Sequence, residues 1–457
     1  MLQLKSIIPF FHQEEMKILI YPPFLSIITL IGILPFVLFL YIKNGFPTID
    51  DFHNICVDNI EFFFLGARVS NIFFNLLILF IIFKLCHFLF NSKKIAIFSI
   101  LFLASDFTFN FTSHFARHWN LTTLFIWLTI FFSLKLYFSN NIKNYIFASF
   151  FSGLGFGISY VFGSFGFLCL TLVHFIKNKI KRLNNIILST AIFLFLAILS
   201  VLMHPYAFFR LIKTNGDKNV TALYSEKNFL NTIFYYIESL FQLNPVLLLL
   251  ATLSIIYCFY KKLFLRSLFI FLSIFISFII LLHFTVKVEN RYIMPVIPGL
   301  AIIASIGLNE ILKNKKNIYQ IFTIFVLLAY PLSNSLYSSY LLSKKDTRIQ
   351  TLEWLNNNVK SNAQIANGMK NINLNKNYKK YSTINNDNKR VNLLGINKNK
   401  LKEKFSFTNI SQSFVSKNAN KNLSDFIIKS KFDYLLIGYR NKDNKFYRIS
   451  EDFYKEI

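Results

Sequence analysis

Charge is scarce in this sequence. Charged residues fill 16% of its 457 positions, against about 25% in a soluble globular protein. Cysteine is also scarce: Cys56, Cys86, Cys169 and Cys258 stand singly and far apart in apolar sequence. Neither a disulfide framework nor a CxxC metal site follows from them. No GxxxxGK[ST] stretch occurs, so the phosphate-cradling loop of ATP-driven machinery is missing. Acids and bases within the apolar runs are few; Asp106, His174, His204 and His283 stand near run ends. A proton-coupled pump calls for a buried chain of acids, and many transporters for inverted repeats, which are not apparent here.

What is present is apolar. Hydrophobic letters make up 54% of the chain, aromatics 18%, and Phe alone occurs 57 times, with a mean hydropathy of +0.46. One soluble core cannot hide that much apolar surface, which excludes a soluble enzyme, and disorder is excluded over the first three quarters of the chain. The net charge of +27 resembles a nucleic-acid footprint in size only. Its lysines sit in short clusters between apolar runs and in an Asn/Lys-rich tail, with little Arg, so no nucleic-acid partner is expected.

A bilayer core needs about 20 apolar residues per helix. Runs of that kind cover 66–90, 95–112, 121–139, 145–162, 163–176, 186–203, 243–260, 267–284, 292–312 and 318–338. The run 22–42 is also long enough, but Pro22, Pro23 and Pro35 leave open whether it crosses or lies along the interface. Alternate short connections, 91–94, 140–144, 177–185, 261–266 and 313–317, hold 13 Lys/Arg between them. The opposite connections, 43–65, 113–120, 204–242 and 285–291, are longer and of mixed sign. By the positive-inside rule the first set faces the cytoplasm, and the second set and the tail face outward. The organisation expected is an N-terminal outer or interfacial segment (1–65), a transmembrane bundle (66–340) and a small extracytoplasmic domain (341–457). In that tail, 346–359 has helical periodicity and 432–440 reads as a short strand. The fold class is therefore an all-α polytopic membrane protein of about 10–11 spans with a small C-terminal α/β domain.

Chemistry should collect in the outward loops. The first offers Asp50, Asp51, Asp58 and Glu61, preceded by His12, Glu14 and Glu15. Such carboxylates read either as solvated loop acids or as a general base or metal ligand. The second, SHFARHWN (113–120), gathers His114, Arg117, His118 and Trp119. They read either as interfacial anchors or as groups that meet an anion, most simply a lipid phosphate. The third, TVKVENRYIMPVIPG (285–299), packs Lys287, Glu289 and Arg291 into five residues, with Tyr292 beside Arg291. It reads either as a structural Glu–Arg pair or as a phosphate contact with a stacking ring. No cofactor is expected, and a divalent metal is compatible but not indicated, since no clustered ligand set demands one.

Several segments, in this order, carry a resemblance: LIYPPFLS (19–26), FFLGARVSNIFFNLL (63–77), ASDFTFNFTSHFARHW (104–119), SGLGFGISY (152–160), VENRYIMPVIPGLAIIASIGL (288–308) and KKDTRIQTLEWL (344–355). The pattern resembles the GT-C polytopic glycosyltransferases, in particular family 39-like enzymes related to protein mannosyltransferases and the aminoarabinose transferase of lipid A. The RY-x-x-P lead into a late span and DTR-x(5)-W after the last one are its most specific pieces. The resemblance implies transfer of a sugar from a polyprenyl-phosphate donor to a protein, lipid or envelope-glycan acceptor on the outer face of the cytoplasmic membrane. It implies inversion by one direct displacement, with basic groups stabilising the leaving phosphate and a carboxylate taking the acceptor proton. Arg117 and Arg291 match the family's outward-facing positions as phosphate contacts, and His114, His118, Glu289 and Tyr292 stand beside them as candidate substrate-binding residues. The sequence departs from the pattern in one place: family members begin with a span followed by the loop that carries the catalytic Asp, and here no span precedes YPP. The expectation is a piece of a longer gene product or a chain without that loop. Glu14 and Glu15 then take the base role weakly, with Asp50 and Asp51 as fallbacks. The alternatives are a non-catalytic relative that binds lipid-linked sugars, and a lipid-linked glycan flippase or other transporter.

Overall fold

The computed structural model describes residues 22–48, 51–52, 55–56, 59–115, 117–205, 208–209, 229–264, 271–272, 274–280 and 290–344, together with 350, 354, 357–358, 364–367, 406–409 and 434–436. The chain divides into two compact units, one of Met1–Phe52 with Asn59–Leu341 and one of His53–Asp58 with Leu342–Ile457.

The first unit is a bundle of helices: α1 (Pro23–Lys43), α2 (Ile60–Phe90), α3 (Lys93–Ser105), α4 (Phe107–Ser113), α5 (His118–Ser139), α6 (Ile142–Phe156), α7 (Tyr160–Asn178), α8 (Leu183–Met203), α9 (Phe229–Leu243), α10 (Pro245–Tyr260), a 3-10 turn η1 (Asn290–Val296), α11 (Ile297–Leu312) and α12 (Asn317–Ser343). Among the described residues six helices are long and apolar enough to cross a membrane, or eight if each of two bent pairs counts as one span. The chain is a multi-pass membrane protein. The expected 10–11 spans also included 145–162 and 163–176, but here α6 stops at Phe156 and α7 restarts at Tyr160. At 15 residues, α6 reaches only about 22 Å. The run 22–42 forms α1, one of the six, which opens with Pro at its first turn, where a missing N–H costs nothing.

Stops are written locally. Asn91 and Asn140 end α2 and α5 with φ of 48° and 49°, the left-handed cap that Asn tolerates. Both lie in Lys-bearing connections, and those connections meet at one end of the bundle. Lys94 donates to Gln320 Oε1 at 3.0 Å, Arg182 Nη1 to Asn140 O at 2.9 Å, and the Phe90 and Phe264 rings touch at 5.2 Å. At that end Lys135 Nζ lies 4.4 Å from the Phe131 ring centroid and Lys177 Nζ 5.1 Å from that of Tyr137, amines carried over aromatic rims.

The two bent pairs are built alike. Asp106 separates α3 from α4 at a 63° bend, and Asn244 separates α9 from α10 at 118°. Each side chain caps the helix that follows it: Phe109 N donates to Asp106 Oδ1 at 2.9 Å and Leu247 N to Asn244 Oδ1 at 3.1 Å. Asn244 Nδ2 then donates to Asp106 Oδ2 at 2.9 Å, so the two breaks are bonded to each other. Asp106 is 1% exposed. An aspartate side chain is tolerated there because both oxygens accept N–H groups.

Helices approach closely where side chains vanish. A Cβ on Gly163 of α7 would collide with the backbone of Gly155 and Phe156 on α6, and one on Gly307 of α11 with Ser254 of α10. Small residues at helix crossings are what lets membrane helices associate without a hydrophobic drive between them.

In the second unit three short strands, β1 (Gln364–Asn367), β2 (Ser406–Asn409) and β3 (Tyr434–Leu436), form a parallel sheet in the order β2-β1-β3, with Ile365 opposite Phe407 on one side and Tyr434 on the other. β3 falls inside the segment 432–440 that reads as a strand. Parallel neighbours need crossover connections rather than tight hairpins. Within 346–359 the described residues are helical, and Asn358 Nδ2 donates to Trp354 O at 2.8 Å.

Candidate functional site

At the bundle end opposite the lysine-bearing connections, the loop after α4 is pinned from below. Asn71, buried on α2, turns its Nδ2 to three backbone carbonyls of that loop, Thr112 at 3.1 Å, Ser113 at 3.4 Å and Phe115 at 2.6 Å. One buried amide thus ties the helix end and the loop after it to α2, sharing the Thr112 and Phe115 carbonyls with backbone N–H groups of the loop. The chain then re-enters as α5 at His118.

From α5 the structure builds an aromatic platform. The Trp119 ring lies 4.9 Å from Tyr292 of η1 and 5.6 Å from Phe162 of α7, and Phe162 lies 5.1 Å from Tyr292. The Arg291 guanidinium carbon sits 5.4 Å from the Trp119 centroid and 5.8 Å from that of Tyr292. His118 packs against Trp119 with centroids 3.9 Å apart. η1 is tied to α5 lower down, where Trp127 Nε1 donates to Pro295 O at 3.0 Å. A guanidinium held by ring faces keeps its full charge and its planar fork, which matches phosphate oxygens in pairs. Chemically, this arrangement can hold an anion beside an apolar aromatic surface.

The sequence-nominated residues divide. Arg291, Tyr292 and His118 come together on this platform. Arg117, exposed, precedes it as the N-cap of α5. His114 belongs to a different group: its Nε2 lies 3.2 Å from Ser339 Oγ on α12, and the Arg68 cation of α2 acts on it. Ser339 Oγ donates its single hydrogen to Ser335 O at 3.0 Å, so His114 Nε2 must be the donor in that contact and Nδ1 carries the lone pair. Partial burial, and secondarily Arg68, pushes the His114 imidazole below its ordinary range, so at neutral pH it is uncharged and adds no cation for a phosphate. Asp51 is exposed and engaged locally, accepting from Thr48 Oγ1 at 2.6 Å. Glu14, Glu15, Asp50 and Glu289 lie outside the described residues.

Three residues that sequence reasoning did not nominate matter here. Arg68 is the one cation in the first half of a 31-residue apolar helix whose other, Lys84, lies near its far end, a signal that was available. Asn244 precedes Pro245, the N-cap and first-turn proline pairing that marks a helix start. Ser339 gave no signal. Among the described residues no group of three or more His, Cys, Asp or Glu could hold a metal ion.

Residues 60–204 match the family model described as dolichyl-phosphate-mannose-protein mannosyltransferase. The matched stretch carries Arg68, Asp106, His114, Arg117, His118 and Trp119, and its place agrees with the family 39-like resemblance. The crystal structure of ArnT from Cupriavidus metallidurans in the apo state is similar with 14% identity and a TM-score of 0.45, over 76% of this chain and 61% of that one. The same protein bound to undecaprenyl phosphate gives 13% identity and a TM-score of 0.43, over 74% and 62%. This chain thus spans about three fifths of those structures' length. A comparison with curated proteins returns no match.

Proposed function

We propose that the chain is a membrane glycosyltransferase of the GT-C type that moves a sugar from a polyprenyl-phosphate donor to a protein, lipid or envelope-glycan acceptor on the outer face of the cytoplasmic membrane. The observation that carries this reading is the Arg291 guanidinium seated on Trp119 and Tyr292 at the bundle end away from the lysine-bearing connections. The family match over 60–204 supports it. A lipid-linked phosphate requires both features of that place: a positive planar group for the leaving oxygen anion, and an apolar surround for the chain behind it. In the displacement, the acceptor oxygen forms its bond to the anomeric carbon as the bond to phosphate breaks, inverting that carbon. The electron pair leaves with the phosphate, which Arg291 and Arg117 stabilise. The acceptor proton goes to a carboxylate of the stretch before α2, where Glu14, Glu15, Asp50 and Asp51 lie.

The test is transfer from labelled polyprenyl-phosphate sugars in proteoliposomes that hold the chain, alone and extended upstream. Label arriving on an acceptor supports the reading. Labelled glycan that crosses the vesicle wall unaltered would replace it with the flippase alternative. Cysteine labelling that puts the loop 113–117 and the terminal domain in the cytoplasm would overturn the orientation.

A further inference from the structure

Buried polar groups in a membrane protein need partners, and the first two turns of α5 hold several that have none among the described residues. Asn120 is 0% exposed, and neither its Oδ1 nor its Nδ2 has a hydrogen-bond partner. Thr123 is likewise 0% exposed with an unpartnered Oγ1, and the Trp119 indole N–H is buried without an acceptor. In hydrocarbon each such group costs several kcal/mol, so a row of them is not neutral decoration. Helical spacing places the row. Trp119, Thr123 and Trp127 follow at intervals of four, and Asn120, Thr123 and Trp127 at three and four, so all four residues share one face. Its two tryptophans identify what that face looks at: Trp119 meets Tyr292 and Trp127 bonds Pro295, both on η1, the turn that presents Arg291.

We propose that Asn120 and Thr123, with the Trp119 indole N–H, form the subsite that reads the hydroxyl groups of the donor's sugar, and that the sugar is a neutral polyhydroxylated ring. This rests on the transferase reading and deepens it. The chemistry of the row selects the ligand class. An amide offers one acceptor and two donors, and a threonine hydroxyl offers both roles, which suits vicinal hydroxyls that are themselves donor and acceptor. The row carries no charge, and Arg291 stands at its edge, so a cationic amino sugar would meet repulsion without a compensating anion in the row. Trp119, Tyr292 and Phe162 supply the flat apolar faces against which the C–H side of a sugar ring packs. A sugar lying along this row places its anomeric phosphate toward Arg291.

The experiment uses the full chain in lipid nanodiscs and follows Trp fluorescence on adding a short-chain polyprenyl phosphate, first bare and then carrying mannose. The wild-type protein should bind the mannosyl form at least about 10-fold more tightly than the bare phosphate. Asn120→Leu should erase that increment and leave affinity for the bare phosphate within about 2-fold. It should also raise the melting temperature, because two unpartnered buried atoms disappear; an asparagine kept for structure would lower it. Asn120→Asp serves as the second variant and should move preference from the mannosyl to an aminoarabinosyl phosphate lipid. An Asn120→Leu protein that keeps the mannosyl increment overturns the subsite, as does a wild-type protein that binds both lipids equally. A wild-type protein that binds neither overturns the transferase reading itself.

Discussion

The bond between Asp106 and Asn244 makes a quantitative claim. Removing Asn244 takes the N-cap from α10, typically worth about 1 kcal/mol, and strips the donor from a buried carboxylate oxygen. Removing Asp106 takes the cap from α4 and leaves an amide N–H without its acceptor. The pair term is what a double-mutant cycle isolates. Side-chain hydrogen bonds between membrane helices average about 0.6 kcal/mol and reach about 1.7, whereas bonds to a charged group in water-soluble proteins run to about 1.5–3. A 2.9 Å contact to a side chain 1% exposed belongs near the upper end of the membrane range, so the expected coupling is about 1.5 kcal/mol. Asp106→Ala, Asn244→Ala and the double variant would be unfolded in micelles of rising denaturant and followed with a thiol-reactive dye. Cys86, Cys169 and Cys258 are buried and report opening of the core. Single losses that add without coupling, within about 0.3 kcal/mol, would mean that the two bends are held independently and that the latch does not contribute.

Three further outcomes follow from neighbouring geometry. Gly163→Ala should cost about 1–3 kcal/mol of stability because the new methyl meets fixed backbone; Gly166→Ala, which meets the movable Thr129 side chain at 3.1 Å, should stay within about 1 kcal/mol, both measured by the same dye. The His114 imidazole is held below its ordinary range, so the unfolded chain takes up that proton first as pH falls below about 6.5. Stability should therefore drop with acidification from there down toward the folded-state value, and His114→Gln should flatten that part of a denaturation-versus-pH curve; an unchanged curve refutes the assignment. Arg291→Lys keeps the charge but loses the planar stack, and should raise the donor KM about 10-fold, while Arg291→Ala should raise it up to about 100-fold, read from transfer kinetics.

Much of the bundle is legible in the sequence because charge is so rare in it. Lysine-bearing connections separated by apolar runs give the helices and their alternation, and the contacts of Lys94 with Gln320 and of Arg182 with Asn140 bring those connections to one end. Hydropathy is blind to breaks that stay apolar. The stretch SGLGFGISY reads as continuous, yet Gly157 ends α6 because the chain must turn where Gly155 and Gly163 pack backbone on backbone. Asp106 looks like a run end rather than a bend, because its partner Asn244 is 138 positions away. The site is legible by residue type and illegible by grouping. The loop 113–120 offers two histidines four residues apart, and only the turn pinned by Asn71 sends His114 to α12 and His118 to the aromatic platform.

The last helix of the bundle shows what its fastenings imply for its surroundings. α12 has 27 residues, about 40 Å of helix, which overshoots a hydrocarbon slab of about 30 Å. It is hooked by Gln320 near its start and by Ser335 and Ser339 near its finish, while most of its flank between those hooks stands exposed. A rod fastened at both tips cannot shorten its reach by sliding. It must lean within the membrane or stand proud of it by a turn or two, which makes bilayer thickness a condition for setting both hooks at once.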